Sequence, residues 1–485
     1  MTDCPALLAV NDIADWHETA DVVVVGFGIA GACAALEARR GGADVLVAER
    51  ASGGGGASAL SSGLFYLGGG TPVQQAVGVE DTPENMYKFL MASTCAPDAA
   101  LVRCFCDGAV EHFNWLETQG VTFERSYFKG KTVELNTSNE GLCGTGNEKV
   151  WPFRDIAPPA ARGHRVSRPG QYCGAMATQA LIARCQEEGV RVSYDTQATA
   201  LVADPAGRII GVRLRSAGQE RHVRARKAVV LATGGFSASQ EMMAEFAPQM
   251  LENCEALGVP YNDGAGMRLG RSAGGALQAM SGLIATASFY PPAQLIKGIL
   301  VNSRGERFVA EDSYHGRTAS FIMEQPDRKA YLIVDAEIFA YPEITYLGHR
   351  LVDGWESTAE MEAGLDLPNG SLQRTMADYS RHAAAGKDPA FFKHPDWVKP
   401  LDQGPWAAFD VSFHHSRYLF ITLGGLKVNA RAEVLSEQGS PIRGLYAAGA
   451  CASTIPQDGK GYASGLSLGP GSFFGRVAGR EAAGA

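Results

Sequence analysis

Residues 21–50, DVVVVGFGIAGACAALEARRGGADVLVAER, constrain the fold of this chain more than any other stretch. The four valines at 22–25 predict a short strand buried on both faces, as at the centre of a parallel sheet. Gly26, Gly28 and Gly31 follow in the G-x-G-x-x-G spacing. The first suits a tight turn, the second a close approach of backbone to a pyrophosphate, and the third close helix-to-sheet packing. Residues 30–40 predict the next helix, whose free N-terminal N–H groups and dipole favour negative charge. Ala34, Ala35 and Ala38 are small enough to lie against the sheet. A second strand at 44–48 ends at Glu49, 18 residues beyond Gly31, where an acid can accept both ribose hydroxyls of an adenosine. A lone glycine motif is weak, but strand, turn, helix, second strand and terminal acid together mark a dinucleotide site. A carboxylate at Glu49 repels the extra phosphate of NADP, which leaves FAD or NAD.

At 485 residues the chain has room for two domains, or one large domain with an insertion. A net charge of −9 argues against nucleic acid or an anionic membrane as the main partner. No apolar run is long enough to span a bilayer. The N-terminal residues show no positive cluster ahead of an apolar stretch, so no signal peptide is expected. The 10 cysteines form no C-x-x-C, and reduced thiols in a cytoplasmic enzyme are the expectation. His414 and His415 have no third ligand at useful spacing, so no metal site is expected.

A second glycine-rich run, residues 51–70, follows Glu49 and Arg50 directly and offers a second meeting of backbone amides with a pyrophosphate. Apolar Leu64, Phe65 and Leu67 argue against a solvated linker there. Residues 84–92, 99–119 and 171–188 have helical periodicity, whereas 123–150 is polar and irregular. Residues 190–195, 198–204, 209–215 and 220–225 predict a small antiparallel excursion. A further buried strand at 228–236 runs into glycines, and residues 263–276 predict a helix. Residues 281–418 are richer in aromatics, prolines and charges, with a strand at 331–334, a helix at 371–385 and loops at 395–404. A last core strand at 444–450 and a closing helix at 465–480 return to the glycine-rich style. The expected fold class is α/β: a discontinuous Rossmann-type nucleotide domain, residues 1–280 and 419–485, with an α+β substrate domain inserted at 281–418.

GFGIAG, the acid, GGGGAS, ATGGF, DGAG, NSRGERFVAED, LGGL and LYAAGA recur over nearly the whole length. With them the chain resembles the flavoproteins of the fumarate reductase and 3-ketosteroid dehydrogenase superfamily. FYLGGGTP, PENMYKFLMA, RGHRV, EDSYHGR, FITLGGLKVN and GYASGLSLGPGSFFGR bring it nearest to the FAD-dependent 3-ketosteroid 4-dehydrogenases. The resemblance implies a glutathione-reductase-like FAD domain and hydride transfer between a saturated carbon and the flavin. It implies FAD held by Gly26, Gly28, Ile29, Ala30 and Gly31 of the first turn, and by Glu49 and Arg50. Gly55, Gly56, Ala57, Ser58, Ser61, Ser62 and Gly63 would serve from the second glycine run. Ala200, Ala232, Thr233, Gly234 and Asp263 would serve from the middle of the chain, and Gly449, Ser467 and Leu468 from its end. Some relatives bind FAD covalently through a histidine in the second glycine run. No histidine occurs between His17 and His112, so non-covalent FAD is expected.

The departures from the fumarate reductases point to the substrate. Those relatives hold a dicarboxylate with arginines and histidine. Here Ile421 precedes the Thr-x-Gly-Gly turn where they place histidine, and Tyr314 stands after Glu311 and Asp312 where they place an acid arginine. The stretch before the last helix carries Tyr462, Ser464 and Ser467. Hydroxyls and apolar groups suit a neutral, greasy ketone better than a dianion. The resemblance then implies Tyr462 as donor to the substrate carbonyl, Ser464 as acceptor of the proton beside it, and Tyr314 as relay. Phenol and alcohol are weak bases and need help, for which His315 and Arg317 are the nearby candidates. Ser467 also suits the cap of the last helix. The resulting expectation is desaturation of a 3-oxosteroid between carbons 4 and 5, with an unidentified electron acceptor. The alternatives are an enone reductase on an apolar substrate and a flavin electron-transfer subunit with no substrate of its own.

Overall fold

The computed structural model describes residues 4–133, 139–144, 146–168, 172–252, 254–286 and 288–485. β1 (Glu18–Val25) leads through a glycine turn into α1 (Ile29–Arg40) and then β2 (Val45–Ala48). β1 and β2 pair in parallel from Val22↔Val45 to Val25↔Ala48. Val22, Val23 and Val24 are wholly buried, since both faces of the strand are covered. β3 (Thr196–Ala203), β4 (Ile209–Ser216) and β5 (Gln219–Leu231) form an antiparallel meander. β5 belongs to two layers of pairing. Its first half pairs with β4, and from Val223 to Leu231 it runs parallel to β1.

Later elements complete the scaffold: β6 (Leu283–Thr286), α2 (His315–Met323), β7 (Tyr418–Thr422), β8 (Pro441–Ala447) and α3 (Leu468–Gly484). β8 adds to the end of β5 in parallel, with Val229 opposite Leu445, so both ends of the chain build one nine-stranded sheet. A separate four-stranded antiparallel sheet joins Ile299–Asn302, Ala330–Asp335, Trp406–Asp410 and Arg350–Trp355. β7 pairs with β6 on one side and Cys254–Ala256 on the other, so this small sheet draws strands from both sides of residue 281.

Several sequence expectations need correction. Arg191–Ser193 is parallel to β2 and extends the main sheet rather than the antiparallel excursion. The strands expected at 220–225 and 228–236 are one strand, β5, with an irregularity between Ala225 and Ala228 that breaks the alternation of side chains. Residues 232–236 are a loop beyond its end. The second glycine run holds a short helix, Gly56–Ala59, and a buried strand, Leu64–Tyr66. Within the irregular stretch, Tyr127–Phe128 and Leu142–Cys143 join Leu64–Tyr66 and Gly163–Arg165 in a four-stranded sheet. The helix expected from 171 covers Gly174–Glu187, and residue 171 lies outside the described residues. Among the described residues, no helix is long and apolar enough to cross a membrane.

Two contacts fix the pieces that carry the site. α3 lies against α1 so closely that a Cβ at Gly475 would sit 2.4 Å from the Ala30 carbonyl oxygen, and one at Gly479 would sit 2.1 Å from that of Ala34. Only residues without a side chain permit this crossing. Arg162 and Asp81, both side chains fully buried, form a two-pronged pair at 2.9 and 2.8 Å. Arg162 also reaches the Tyr66 hydroxyl and so braces the Leu64–Tyr66 strand from behind. Gly479→Ala should cost about 1–3 kcal/mol by overpacking, read as a lower thermal midpoint. An unchanged midpoint would show that the two helices have room to spare.

Candidate active site

The nucleotide cradle follows from the first turn. Gly26 has φ +101°, and a Cβ there would lie 2.4 Å from the Ala232 carbonyl oxygen. Gly31 meets the Gly26 carbonyl oxygen the same way, at 2.0 Å, and is a packing residue rather than a lining one. A Cβ at Gly28 would have no neighbour nearer than 3.6 Å, so this position is open on the cavity side. The start of α1 borders the cavity, where Ser58 Oγ accepts from the Ile29 N–H at 3.4 Å. That is an arrangement suited to an anion. The Glu49 carboxylate is fixed at the rim by the N–H groups of Phe27 at 2.7 Å and Ala51 at 2.8 Å. Arg50 pairs with Asp263 at 2.5 Å and lies over the Tyr261 ring.

These residues open into a cavity of about 990 Å³. Gly26, Gly28, Ile29, Ala30, Glu49, Arg50, Gly56, Ala57, Ser58, Ser61 and Ser62 line it. So do Ala232, Thr233, Gly234, Gly449, Ser467 and Leu468 from later in the chain. Gly55 and Gly63 do not. Gly55 bridges to Gly28, and Gly63, at φ +73°, makes room for the backbone at Cys173. Asp263 stands behind Arg50. Ala200 is buried within β3, and Thr196 and Ala198 are the residues of that strand that reach the cavity with Gln197. A cradle that side chains would fill, a helix start at the cavity wall and a fixed acid fit an FAD at this end.

The other end carries the hydroxyl groups. Tyr314 immediately precedes α2, and its hydroxyl is 2.9 Å from Ser464 Oγ. The Tyr314 and Tyr462 rings lie 6.2 Å apart, and the Tyr462 hydroxyl is 2.8 Å from Ser467 Oγ. All four residues line the same cavity. Around them stand Ile284 and Thr286 of β6, Leu419 and Ile421 of β7, and Ile344, Tyr346 and Leu347. Burial raises the Tyr314 pKa well above that of a free phenol, with the Tyr462 ring adding to it and the Ser464 hydrogen bond opposing it. Tyr314 is therefore a neutral hydroxyl at ordinary pH.

The candidates for helping these weak bases separate. The His315 ring packs on Tyr314 with centroids 4.0 Å apart, and its Nδ1 is 2.9 Å from Thr286 Oγ1. Burial, aided by the Lys131 ammonium, pushes its pKa down to about 3, so it is a neutral imidazole. Arg317 instead lies over the Phe153 and Phe321 rings and bonds the Lys460 carbonyl, away from the cavity lining. Among the described residues, the guanidinium groups of the lining are Arg50, held by Asp263, and Arg417, held by Glu255. Both already face a carboxylate. His415 pairs with Asp410, and no group of metal-ligating side chains converges among the described residues.

One residue escaped the sequence reading. Asn147, wholly buried, accepts from the Tyr314 N–H at 3.0 Å, and its amide donates to the carbonyls of Tyr462 and Lys460 at 3.4 and 3.5 Å. It ties together backbone segments that lie far apart in sequence. Its neighbour Gly146 leaves space for the Tyr314 ring, against which a Cβ would sit at 2.4 Å. Both fall in the polar stretch that carries no periodicity to place them.

Known proteins resemble the chain over most of its length. The FAD binding domain family model matches residues 21–462. A 3-oxo-5-alpha-steroid 4-dehydrogenase of Comamonas testosteroni is 30% identical over 90% of this chain and 94% of its own. A cytochrome-type fumarate reductase of Shewanella frigidimarina is 27% identical over 96% of this chain and 77% of its own. Among solved structures, a 3-ketosteroid-delta4-(5alpha)-dehydrogenase from Rhodococcus jostii RHA1, in complex with 4-androstene-3,17-dione, is 40% identical. It superposes with a TM-score of 0.93 over 99% of both chains. The chain belongs to the FAD binding domain family of flavoprotein oxidoreductases.

Proposed function

We propose that this protein is an FAD-dependent 3-ketosteroid 4-dehydrogenase, desaturating a 3-oxosteroid between carbons 4 and 5. The observation that carries this reading is the convergence of Tyr314, Tyr462 and Ser464 on one apolar-walled end of the cavity that holds the nucleotide cradle. The similarity to a structure solved with a steroid enone supports it. We read residues 1–280 and 419–485 as the FAD domain and 281–418 as the substrate domain. The antiparallel sheet contained within 281–418 favours that division. We read the ten cysteines as thiols and the setting as reducing and cytoplasmic.

The first turn, Glu49 and the second glycine run would hold FAD without a covalent link, and the cofactor would supply an acceptor for a hydride from carbon 5. The chain's own residues make that hydride available. Neither C–H bond is acidic until the ketone is polarised. Tyr462 donates its phenol proton in a hydrogen bond to the carbonyl oxygen, which makes the proton on carbon 4 removable. Ser464 Oγ takes that proton as its own passes to Tyr314 at 2.9 Å, and the Tyr314 phenol in the same relay releases its proton to solvent, so that neither hydroxyl keeps a second proton. The apolar wall of Ile284, Leu419 and Ile421 excludes water, so each donor acts in a low dielectric, where one such bond is worth about a hundredfold in rate. Asn147 keeps the two tyrosines in register from behind.

Two substitutions test these assignments, with turnover followed by the ultraviolet absorption of the enone product. Tyr462→Phe should lower kcat about a hundredfold with FAD retained; a loss within about threefold removes Tyr462 as the carbonyl donor. Asn147→Ala should lower kcat about tenfold or more through misplacement of groups it does not chemically replace. Unchanged kcat would show that the tyrosines hold their places without it.

A further inference from the structure

Ser467 occupies the N-cap position of α3, where a serine hydroxyl ordinarily accepts from a backbone N–H two or three residues on. It makes no such bond. Its Oγ lies instead 2.8 Å from the Tyr462 hydroxyl. Both residues line the cavity; Tyr462 is only 6% exposed, whereas Ser467 is open to the cavity. The Ser467 backbone is helical, at φ −81° and ψ −46°, rather than in the extended conformation from which a serine caps, so its hydroxyl is available to Tyr462.

A phenol has one proton to give. If Tyr462 spends it on Ser467, none remains for a ketone. If Ser467 is the donor, the phenol oxygen receives a proton on one side and presents its own on the other. The Ser467 backbone N–H acts on the same oxygen, and together the two interactions lower a phenol pKa that burial raises. Donation to the phenol oxygen also strengthens the phenol as a donor, because hydrogen bonds in a chain polarise one another.

We propose that Ser467 is a positioning residue for Tyr462, donating its hydroxyl proton to the phenol oxygen so that the phenol proton faces the substrate ketone. This rests on the reading of Tyr462 as carbonyl donor. It moves the Ser467 hydroxyl out of helix capping and flavin contact and into tuning of the ketone site. The backbone N–H stays where it is in any substitution except proline.

The test is a double-mutant cycle on the flavin-loaded enzyme, using Ser467→Ala, Tyr462→Phe and the pair. It is read by steady-state kinetics and by the carbonyl stretch of bound, isotope-labelled 4-ene-3-oxosteroid in infrared difference spectra. Ser467→Ala should lower kcat about tenfold with KM within about twofold, and should move the carbonyl stretch toward its value in free steroid. In the Tyr462→Phe background the same change should have less than about a twofold effect, because the two residues act as a unit. Ser467→Thr, which keeps the hydroxyl, should restore activity to within about threefold. If Tyr462→Phe moves the carbonyl stretch and Ser467→Ala does not, the proposal is overturned while Tyr462 keeps its role. If neither moves it, the donor assignment fails and the proposal with it. Equal effects of Ser467→Ala in both backgrounds also overturn it.

Discussion

The structure depends on a seam of close backbone contacts made by the last 25 residues. Gly465 and Gly469 press against the Leu64–Tyr66 strand, where a Cβ would lie 2.5 Å from the Tyr66 N and 2.4 Å from its carbonyl oxygen respectively. Gly475 and Gly479 continue the seam along α1. Interiors pack at crystal-like density, so such approaches are available only where the side chain is absent. The seam returns the C-terminus of the chain to the fold begun at its N-terminus. It also sets the start of α3 beside the nucleotide cradle and delivers Tyr462, Ser464 and Ser467 to the cavity as one rigid turn. The buried Arg162–Asp81 pair braces the strand on which this turn rests.

What that turn delivers is neutral. Desolvation holds Tyr314 and Tyr462 in their phenol forms and His315 as imidazole, while the lining arginines, Arg50 and Arg417, each face a carboxylate. A charged clamp would have to be desolvated before it could bind a charged ligand, and its benefit would come largely from the ligand's charge. Hydroxyls bonded to one another in a dry wall cost little to bury and can pass protons along existing contacts. The cavity thus joins an end built for phosphates, with open backbone N–H groups, to an end built for a hydrophobic ketone.

The nucleotide half was legible in the sequence because its signals are local. Val22–Val25, the glycine spacing and Glu49 lie within 30 residues, and each acts on its immediate neighbours. The hydroxyl-lined end, proposed to be catalytic, was legible only through the family resemblance, since Tyr314 and Ser464 are 150 positions apart and nothing in their spacing brings them together. Asn147 was invisible for the same reason: it works through side-chain bonds to two distant backbones, in a stretch with no periodicity. Ala200 lies on the same face of β3 as Ala198 but further along the strand, where it is buried rather than in the cavity lining. How far along the strand the cavity reaches is a tertiary matter. Ser467 looked like a cap because its sequence position is that of a cap. The competing partner, Tyr462, faces it only once the turn at Gly465 has formed.

The central claim is that a water-poor slot of neutral hydroxyls, adjoining the flavin cradle, accepts an uncharged ketosteroid and refuses a dicarboxylate. The most direct measurement is an anaerobic titration of the flavin-loaded protein, followed by the flavin's visible absorbance, with a saturated 3-ketosteroid and separately with succinate. Stoichiometric bleaching by the steroid and none by succinate is the predicted result. Bleaching by succinate, or an oxidised flavin that survives excess steroid, would contradict it.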